Sequence, residues 1–481
     1  MRLKQLGKDS TIYGVGGILA KSVSFFLLPI YTSIFTVAEY GTIEMLTVLS
    51  SFLSAILTLG MDSAQSMFFF KYKKEGKQKQ ATVVSSILQW RLMWGALIVL
   101  VCSLSSPLLN TFFFNGALGW QVFLFAFFGA LFSQLLNQSA EVMRLLYRPW
   151  GYIGVMLGQS MLGAGLILLC VMFFDTGLTG FFIGSAAASL FVGIVGWTLV
   201  RDYLRLGTLH WRLWPELLRF GIPLLPAGIA MYFMTTSDRW FVQFYHGEEA
   251  LGIFAIGAKF AMLFTIAVET FRKAWWPIAM DAMHSDDGPY TFRLIARLYL
   301  GVSCSGVLLL TMLSKSLVRV FTQEDFHSAW PIIGVMAWQG LFFGFFLIAA
   351  AGIWKAEKTA WNLYINIVAA VIGIGMNQAL VPRYGAMGAA SATAITYAAW
   401  IILTVIISRR FWDIGLPYIL FSVQVLSTAF LGALLILLSE SHYYSLILVA
   451  AFAAIVLLLF SSLSHHDWQS LLSKLIKSAK Q

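Results

Sequence analysis

About fourteen apolar stretches follow one another between residues 11 and 463, each close to the 20 residues or so that a helix needs to cross a bilayer. Their approximate limits are 11–35, 40–66, 81–105, 118–142, 151–174, 178–200, 219–244, 250–275, 291–314, 331–353, 360–380, 388–408, 415–438 and 444–463. A chain so divided has one expected fold class, an all-α polytopic membrane protein of about 14 transmembrane helices. Hydrophobic residues reach 59%, charged residues only 11%, and mean hydropathy is +0.80, which excludes a soluble globular protein. The first stretch is too long for a signal peptide and shows no small-residue cleavage site, so it reads as a retained helix.

The interruptions alternate in charge. Lys71, Lys73, Lys74, Lys77 and Lys79 follow the second stretch, Arg144 and Arg148 the fourth, Arg201, Arg205, Arg212 and Arg219 the sixth, and Arg409 and Arg410 the twelfth. The turns near 106–117, 175–177, 245–249 and 439–443 carry no Lys or Arg. Basic loops stay in the cytoplasm, so both termini are expected there; Lys315, Arg319 and Arg383 are exceptions, too few to reverse the assignment. Net charge is +10, but the excess sits in these loops and implies no nucleic-acid partner. Two short segments are expected to lie on the membrane: the tail 465–481, with Trp468, Leu471, Leu472, Leu475 and Ile476 on one helical face, and the connector Leu204–Leu218.

An internal repeat divides the chain. Gly41, after the first stretch, and Gly252, after the seventh, are offset by 211 residues, and Gly180 and Gly388, before the sixth and twelfth, by 208. Six stretches per half is an even number, so the halves are expected to form a parallel repeat. The expected organisation is an N-terminal six-helix lobe over 1–205, a C-terminal six-helix lobe over 206–410, an additional two-helix hairpin over 411–464 and the interfacial tail.

Within the second stretch, Glu44, Thr47, Ser51, Ser54, Thr58 and Asp62 punctuate Tyr40–Gln65. On a single helix they fall within an arc of roughly 80°. Such a stripe cannot face lipid, where each unsatisfied polar group costs several kcal/mol. It lines either a bundle interior, with hydroxyls bonded back to the backbone, or a water-filled path. Carboxylates near both ends favour the cavity-lining role.

Other ionisable residues also lie inside the spans. Lys21 sits about 15 Å into the first span and Lys259 about as deep in the eighth, each on a face with small residues. A mid-membrane lysine costs about 2.5–3.5 kcal/mol on insertion scales and is a functional candidate by default. The alternative is a structural ion pair, Lys21 with Glu44 or Lys259 with Glu269. Asp238 and Arg239 read as a mutual or interlobe pair, and Glu269, Arg272 and Lys273 as boundary residues with a possible coupling or snorkelling role. Pro29, Pro223 and Pro226 are expected to kink the first and seventh spans.

The turn Glu39-Tyr40-Gly41, the pair Asp238-Arg239 ahead of Glu249-Ala250-Leu251-Gly252, the run Lys355-Ala356-Glu357-Lys358 and above all Val381-Pro382-Arg383-Tyr384-Gly385-Ala386-Met387-Gly388-Ala389-Ala390 give the chain its resemblance. It resembles the polysaccharide transporters, the O-antigen and oligosaccharide flippases, of the multidrug/oligosaccharidyl-lipid/polysaccharide exporter superfamily. The resemblance implies two six-helix lobes around a cavity lined chiefly by spans 1, 2, 7 and 8. It also implies transfer of undecaprenyl-pyrophosphate-linked oligosaccharide from the cytoplasmic to the outer leaflet of a bacterial cytoplasmic (inner) membrane, for surface polysaccharide biosynthesis. Lys21, Lys259 and, as a third contact, Arg239 are then the expected substrate-binding cations. Expected partners are the lipid-linked oligosaccharide, the bilayer, and polymerase or glycosyltransferases of the same pathway, with the protein itself a monomer.

Lipid II flippases of the superfamily carry several basic residues in the first two spans; here Lys21 is alone, which argues against a peptidoglycan substrate. The alternatives are that lipid II flippase, a cation-coupled multidrug exporter of the same superfamily, or a membrane-embedded glycan-processing enzyme. The last would need paired carboxylates or a metal in a sizeable loop domain, and the loops are short. No Walker sequence occurs, and neither the histidines nor Cys102, Cys170 and Cys304 have metal-ligand spacing. No cofactor, metal or catalytic residue is therefore expected.

Overall fold

A computed structural model describes residues 16–461 apart from 18, 21, 206 and 208. No strand occurs among the described residues, and eleven helices are long and apolar enough to cross a membrane. Two of the eleven contain a second segment. Leu225–Ala282 runs for 58 residues and Ala360–Arg409 for 50, but Gly247 (φ 75°) and Gly385 (φ 54°) interrupt them. An unbroken helix of 58 residues would extend for about 87 Å, against a hydrocarbon core of about 30 Å. Each break leaves two pieces of bilayer length, making thirteen spans. Ahead of them, helix up to residue 26 and the helix Leu28–Ile34 form the described part of the first stretch. The turn at Leu27 falls where Pro29, in the first turn of Leu28–Ile34, cannot supply an N–H to the preceding turn. Pro223 likewise lies in a 3-10 turn, Ile222–Leu224, between Trp214–Gly221 and Leu225–Ala282.

The chain forms two compact units. The first ends at Tyr232 and takes back His246–Gly252; the second holds Phe233–Tyr245 and everything from Ile253. In the first, Trp120–Leu145 and Gly177–Leu199 pack around a core of Phe69, Val84, Leu136, Val142, Met143 and Val192. In the second, Gly288–Phe321 packs against Trp330–Ala349 and against the last two helices, Tyr418–Leu437 and Tyr444–Ser461. Large aromatics fill that unit: Trp275 meets Phe292 edge-on at 5.0 Å and Phe346 stacks on Trp400 at 4.2 Å.

The helix expected across Tyr40–Gln65 is two helices. Val37–Thr58 ends at Leu59 (φ 43°, ψ 35°), and Met61–Lys71 begins after Gly60 (φ 71°, ψ 8°). The reason is a close approach in the first unit. Any Cβ at Gly60 would strike the Gly221 carbonyl, so only glycine fits both the space and the left-handed backbone. The start of Val37–Thr58 is equally specified. Thr36 and Glu39 form a capping box, Glu39 N–H donating to Thr36 Oγ1 (3.3 Å) and Thr36 N–H to Glu39 Oε2 (2.9 Å). Two residues on, Gly41 lies against the Glu248 carbonyl and the Gly252 amide, which explains the Glu39-Tyr40-Gly41 turn as cap plus contact.

The connector differs from a purely interfacial helix. Trp211 is exposed, but Trp214 donates its indole N–H to the Ser86 carbonyl (3.0 Å), and Leu217 is buried against Met61, Ala64, Phe68 and Ile87. The tail 465–481 lies outside the described residues.

Candidate polar cavities of the first unit

Val37–Thr58 presents the hydroxyl side of the stripe. Thr47 Oγ1 donates to the Ile43 carbonyl (2.7 Å), Ser51 Oγ to the Thr47 carbonyl (2.8 Å) and Thr58 Oγ1 to the Ser54 carbonyl (2.8 Å). These bonds return each donor to the backbone one turn earlier and leave oxygen lone pairs outward. Thr47, Ser51 and Ser54 line a cavity of about 210 Å³ together with Ser133, Gln159 and Ser189. Gln159 donates to Ser189 Oγ (2.9 Å), while its buried Oε1 has no protein partner among the described residues. The hydroxyls thus bond back to the backbone and still border polar space. Glu44 is half-buried and engaged.

Asp62 leaves the stripe because the break at Leu59-Gly60 turns it onto a new helix. It lines a second cavity, of about 560 Å³, with Ser66, Gln134, Asn137, Glu141 and Arg144. At its back lies Arg91, 2% exposed, whose guanidinium donates to the Asp62 carboxylate and to the Gln134 carbonyl (3.0 Å). Thr58 Oγ1 also reaches Gln134 Oε1 (3.2 Å), so the end of Val37–Thr58 is bonded to a residue of this second cavity. Glu141 accepts from Arg144 (2.6 Å) and from Ser66 Oγ (3.0 Å). The wall therefore alternates carboxylate, guanidinium, amide and hydroxyl. Such a lining can hydrogen-bond water or a polyhydroxylated solute without imposing a single charge sign. No group of three or more His, Cys, Asp or Glu suited to a metal ion occurs among the described residues.

Arg91 and Glu141 were not among the residues singled out from the sequence. Their signal was present: Arg91 stands ten residues into the third stretch, as deep as Lys21 in the first, and the same membrane-depth argument applies to it. What the sequence did not show was its partner, which depends on how three helices are rotated.

In the second unit, Asp238 is 2% exposed and pairs with Arg239 (2.9 Å) while accepting from Thr393 Oγ1 (3.0 Å). The Arg239 guanidinium also stands 5.3 Å from the centre of the Phe254 ring, a cation–π contact. Glu269 and Arg272 form their own pair (2.6 Å), Lys259 is half-buried and Lys273 exposed, both with partners. Lys21 lies outside the described residues.

The sequence profile of the polysaccharide biosynthesis protein family matches residues 6–283, more than half of the chain. A protein of the Lsg locus of Haemophilus influenzae is 23% identical over 281 residues, covering 57% of this chain and 66% of that relative. The chain thus spans just under two thirds of the curated relatives it matches, 66% and 65%. Among solved structures, the fold is similar to the lipid II flippase MurJ in an inward closed conformation, with a TM-score of 0.73 and 13% identity over 93% of this chain and 98% of that one. It is similar also to an inward-facing multidrug resistance MATE-family transporter of the MOP superfamily, with a TM-score of 0.61 and 14% identity over 84% and 95%. At these identities the likeness is one of fold. With the multi-pass architecture and the matched profile together, this chain belongs to the polysaccharide biosynthesis protein family, with the fold of the MOP-superfamily transporters.

Proposed function

We propose that the protein flips an undecaprenyl-pyrophosphate-linked oligosaccharide across the bacterial cytoplasmic membrane by alternating access. The supporting observation is the polar lining built inside a membrane-spanning unit: hydroxyls of Val37–Thr58 on one cavity, and Asp62, Glu141 and Arg144 on the next. Hydrocarbon gives a glycan's hydroxyls no partners, whereas this surface offers donors and acceptors at several depths. The family match favours a glycan-bearing lipid over a drug as cargo. The matched folds include a lipid II flippase and a multidrug transporter, and both are machines for moving a solute rather than for bond chemistry. In this reading residues 1–205 and 206–410 act as the two lobes and 411–464 as an added hairpin, with both termini cytoplasmic.

Lys21 and Lys259 supply the cations for the pyrophosphate, the part of the substrate that most resists hydrocarbon. Arg239 contributes less, because Asp238 already holds it at 2.9 Å. The test is complementation of a strain lacking the gene, read as surface polysaccharide. Lys21→Ala and Lys259→Ala each abolish export while the protein remains in the membrane, and Lys→Arg keeps part of it. Normal export by the double alanine variant would overturn the anchor. A cysteine at Ser51 or Ser54 reacts with a small hydrophilic thiol reagent and one at Phe52 does not; equal inertness would make the stripe a dry structural face.

A further inference from the structure

A third cavity, of about 250 Å³, lies in the first unit away from the other two. Its walls are Tyr72, Lys79 and Val83 on one side and His210, Trp211 and Arg212 on the other. We propose that it is a binding site for the phosphate of an anionic phospholipid headgroup in the leaflet on the basic side of the membrane.

Depth is the first argument. Lys77–Leu104 is a membrane-spanning helix, and Lys79 and Val83 stand within its first two turns, so the cavity opens at headgroup level. Exposed Leu209 (55%) and Trp211 (59%) sit beside it, the pairing of apolar and aromatic surface that belongs at an interface rather than in water.

Charge is the second. Two of the neighbouring lysines are committed to carboxylates, Lys71 to Glu216 (2.8 Å) and Lys77 to Asp202 (3.0 Å). Within the cavity, Lys79 has a 3.8 Å approach to solvent-exposed Glu75 and stands 6.0 Å from the centre of the Tyr72 ring, and Arg212 has no ion pair among the described residues. No carboxylate lines the cavity. Two cations flanked by aromatic rings suit a phosphodiester whose acyl chains continue along the apolar rim.

The third argument is that the wall is fixed in place. The connector is stitched to Lys77–Leu104 by bonds to buried side chains. Arg205 N–H donates to Ser85 Oγ (2.7 Å), His210 N–H to Gln89 Oε1 (2.9 Å), and Ser86 Oγ to the His210 carbonyl (3.2 Å). Ser85, Ser86 and Gln89 are 0%, 0% and 8% exposed. Three polar side chains are thus buried in a spanning helix to hold a stretch of connector that carries Arg212. A pre-set wall lowers the ordering cost of binding.

The test uses the full-length purified protein and native mass spectrometry, with phosphatidylglycerol, phosphatidylcholine and inorganic phosphate as separate probes. One phosphatidylglycerol is expected to bind with a distinct higher affinity, phosphatidylcholine not to, and millimolar inorganic phosphate not to displace it. Lys79→Gln with Arg212→Gln weakens that binding on the order of ten- to thirty-fold, as expected for two interfacial cations. Lys73→Gln with Lys74→Gln, also exposed and just ahead of Lys77–Leu104 but outside the cavity, leaves it unchanged. An equal loss in both double variants would reduce the effect to diffuse surface charge and overturn the site. Displacement by inorganic phosphate, or equal binding of phosphatidylcholine, would overturn the lipid as its ligand. None of these outcomes bears on glycan export.

Discussion

Arg144 lines the larger cavity and Arg91 lies behind it, each bonded to a carboxylate of its wall, yet their surroundings give them different weights. Arg144 is 56% exposed and its bond to Glu141 competes with water. The Arg91 side chain is 1% exposed, with one N–H pair on a carboxylate that is itself 52% exposed. Removing it takes from the Gln134 backbone carbonyl the donor it has beyond its own helix and empties buried volume, while Asp62 stays hydrated. The full 3–5 kcal/mol of a broken buried pair therefore does not apply, and Arg91→Ala is expected to cost about 2–4 kcal/mol. Arg144→Ala should cost less than about 1 kcal/mol. Thermal unfolding in detergent compares them directly, and equal shifts in Tm would mean that Arg91 is not held as its burial implies.

Among the elements, Val37–Thr58 with Met61–Lys71 shows where local sequence stops being sufficient. Periodicity placed Thr47, Ser51 and Ser54 on one face, and they do share a cavity, because one unbroken helix carries all three. It misplaced Asp62, because the break at Leu59-Gly60 depends on Gly221, a residue 161 positions later. Nothing in the run Leu57-Thr58-Leu59 announces a left-handed residue. The lengths and order of the helices were legible, since hydrocarbon thickness sets them one at a time; their mutual rotation was not. Glycine variants probe that rotation. A Cβ at Gly41 would overlap the Glu248 carbonyl oxygen, whereas one at Gly432, inside Tyr418–Leu437, meets nothing within 4 Å. Gly41→Ala should destabilise by about 1–3 kcal/mol through overpacking. Gly432→Ala should instead gain about 0.5–1 kcal/mol, the ordinary helix-interior difference. Loss of stability in both, read by thermal unfolding, would show that the Gly41 contact is not special.

At the scale of the whole molecule, the remaining question is sidedness. Loops rich in Lys and Arg alternate with loops that have few or none, Lys315, Arg319 and Arg383 being the exceptions, and the ion pairs add an independent constraint. Lys71 and Lys77 lie in the interruption after the second expected span; Asp202 and Glu216 lie after the sixth. Their pairing at 2.8 and 3.0 Å puts both interruptions of the first unit on one side, as the even number of crossings between them requires. The pairs are half-exposed and each contributes at most about 1 kcal/mol, so they follow from the arrangement of helices rather than enforce it. Extending the alternation along the chain predicts Lys74 and Arg410 on the cytoplasmic side and Ser441 outside, since Tyr418–Leu437 alone separates the last two positions. The check is single cysteines at these positions in a variant lacking Cys102, Cys170 and Cys304, labelled with a membrane-impermeant maleimide. In spheroplasts Ser441→Cys should react and Lys74→Cys and Arg410→Cys should not, with the pattern reversed in inside-out vesicles. Labelling of Ser441→Cys only in inside-out vesicles would invert the topology. It would also move the phosphate-binding cavity at Lys79 and Arg212 to the outer leaflet.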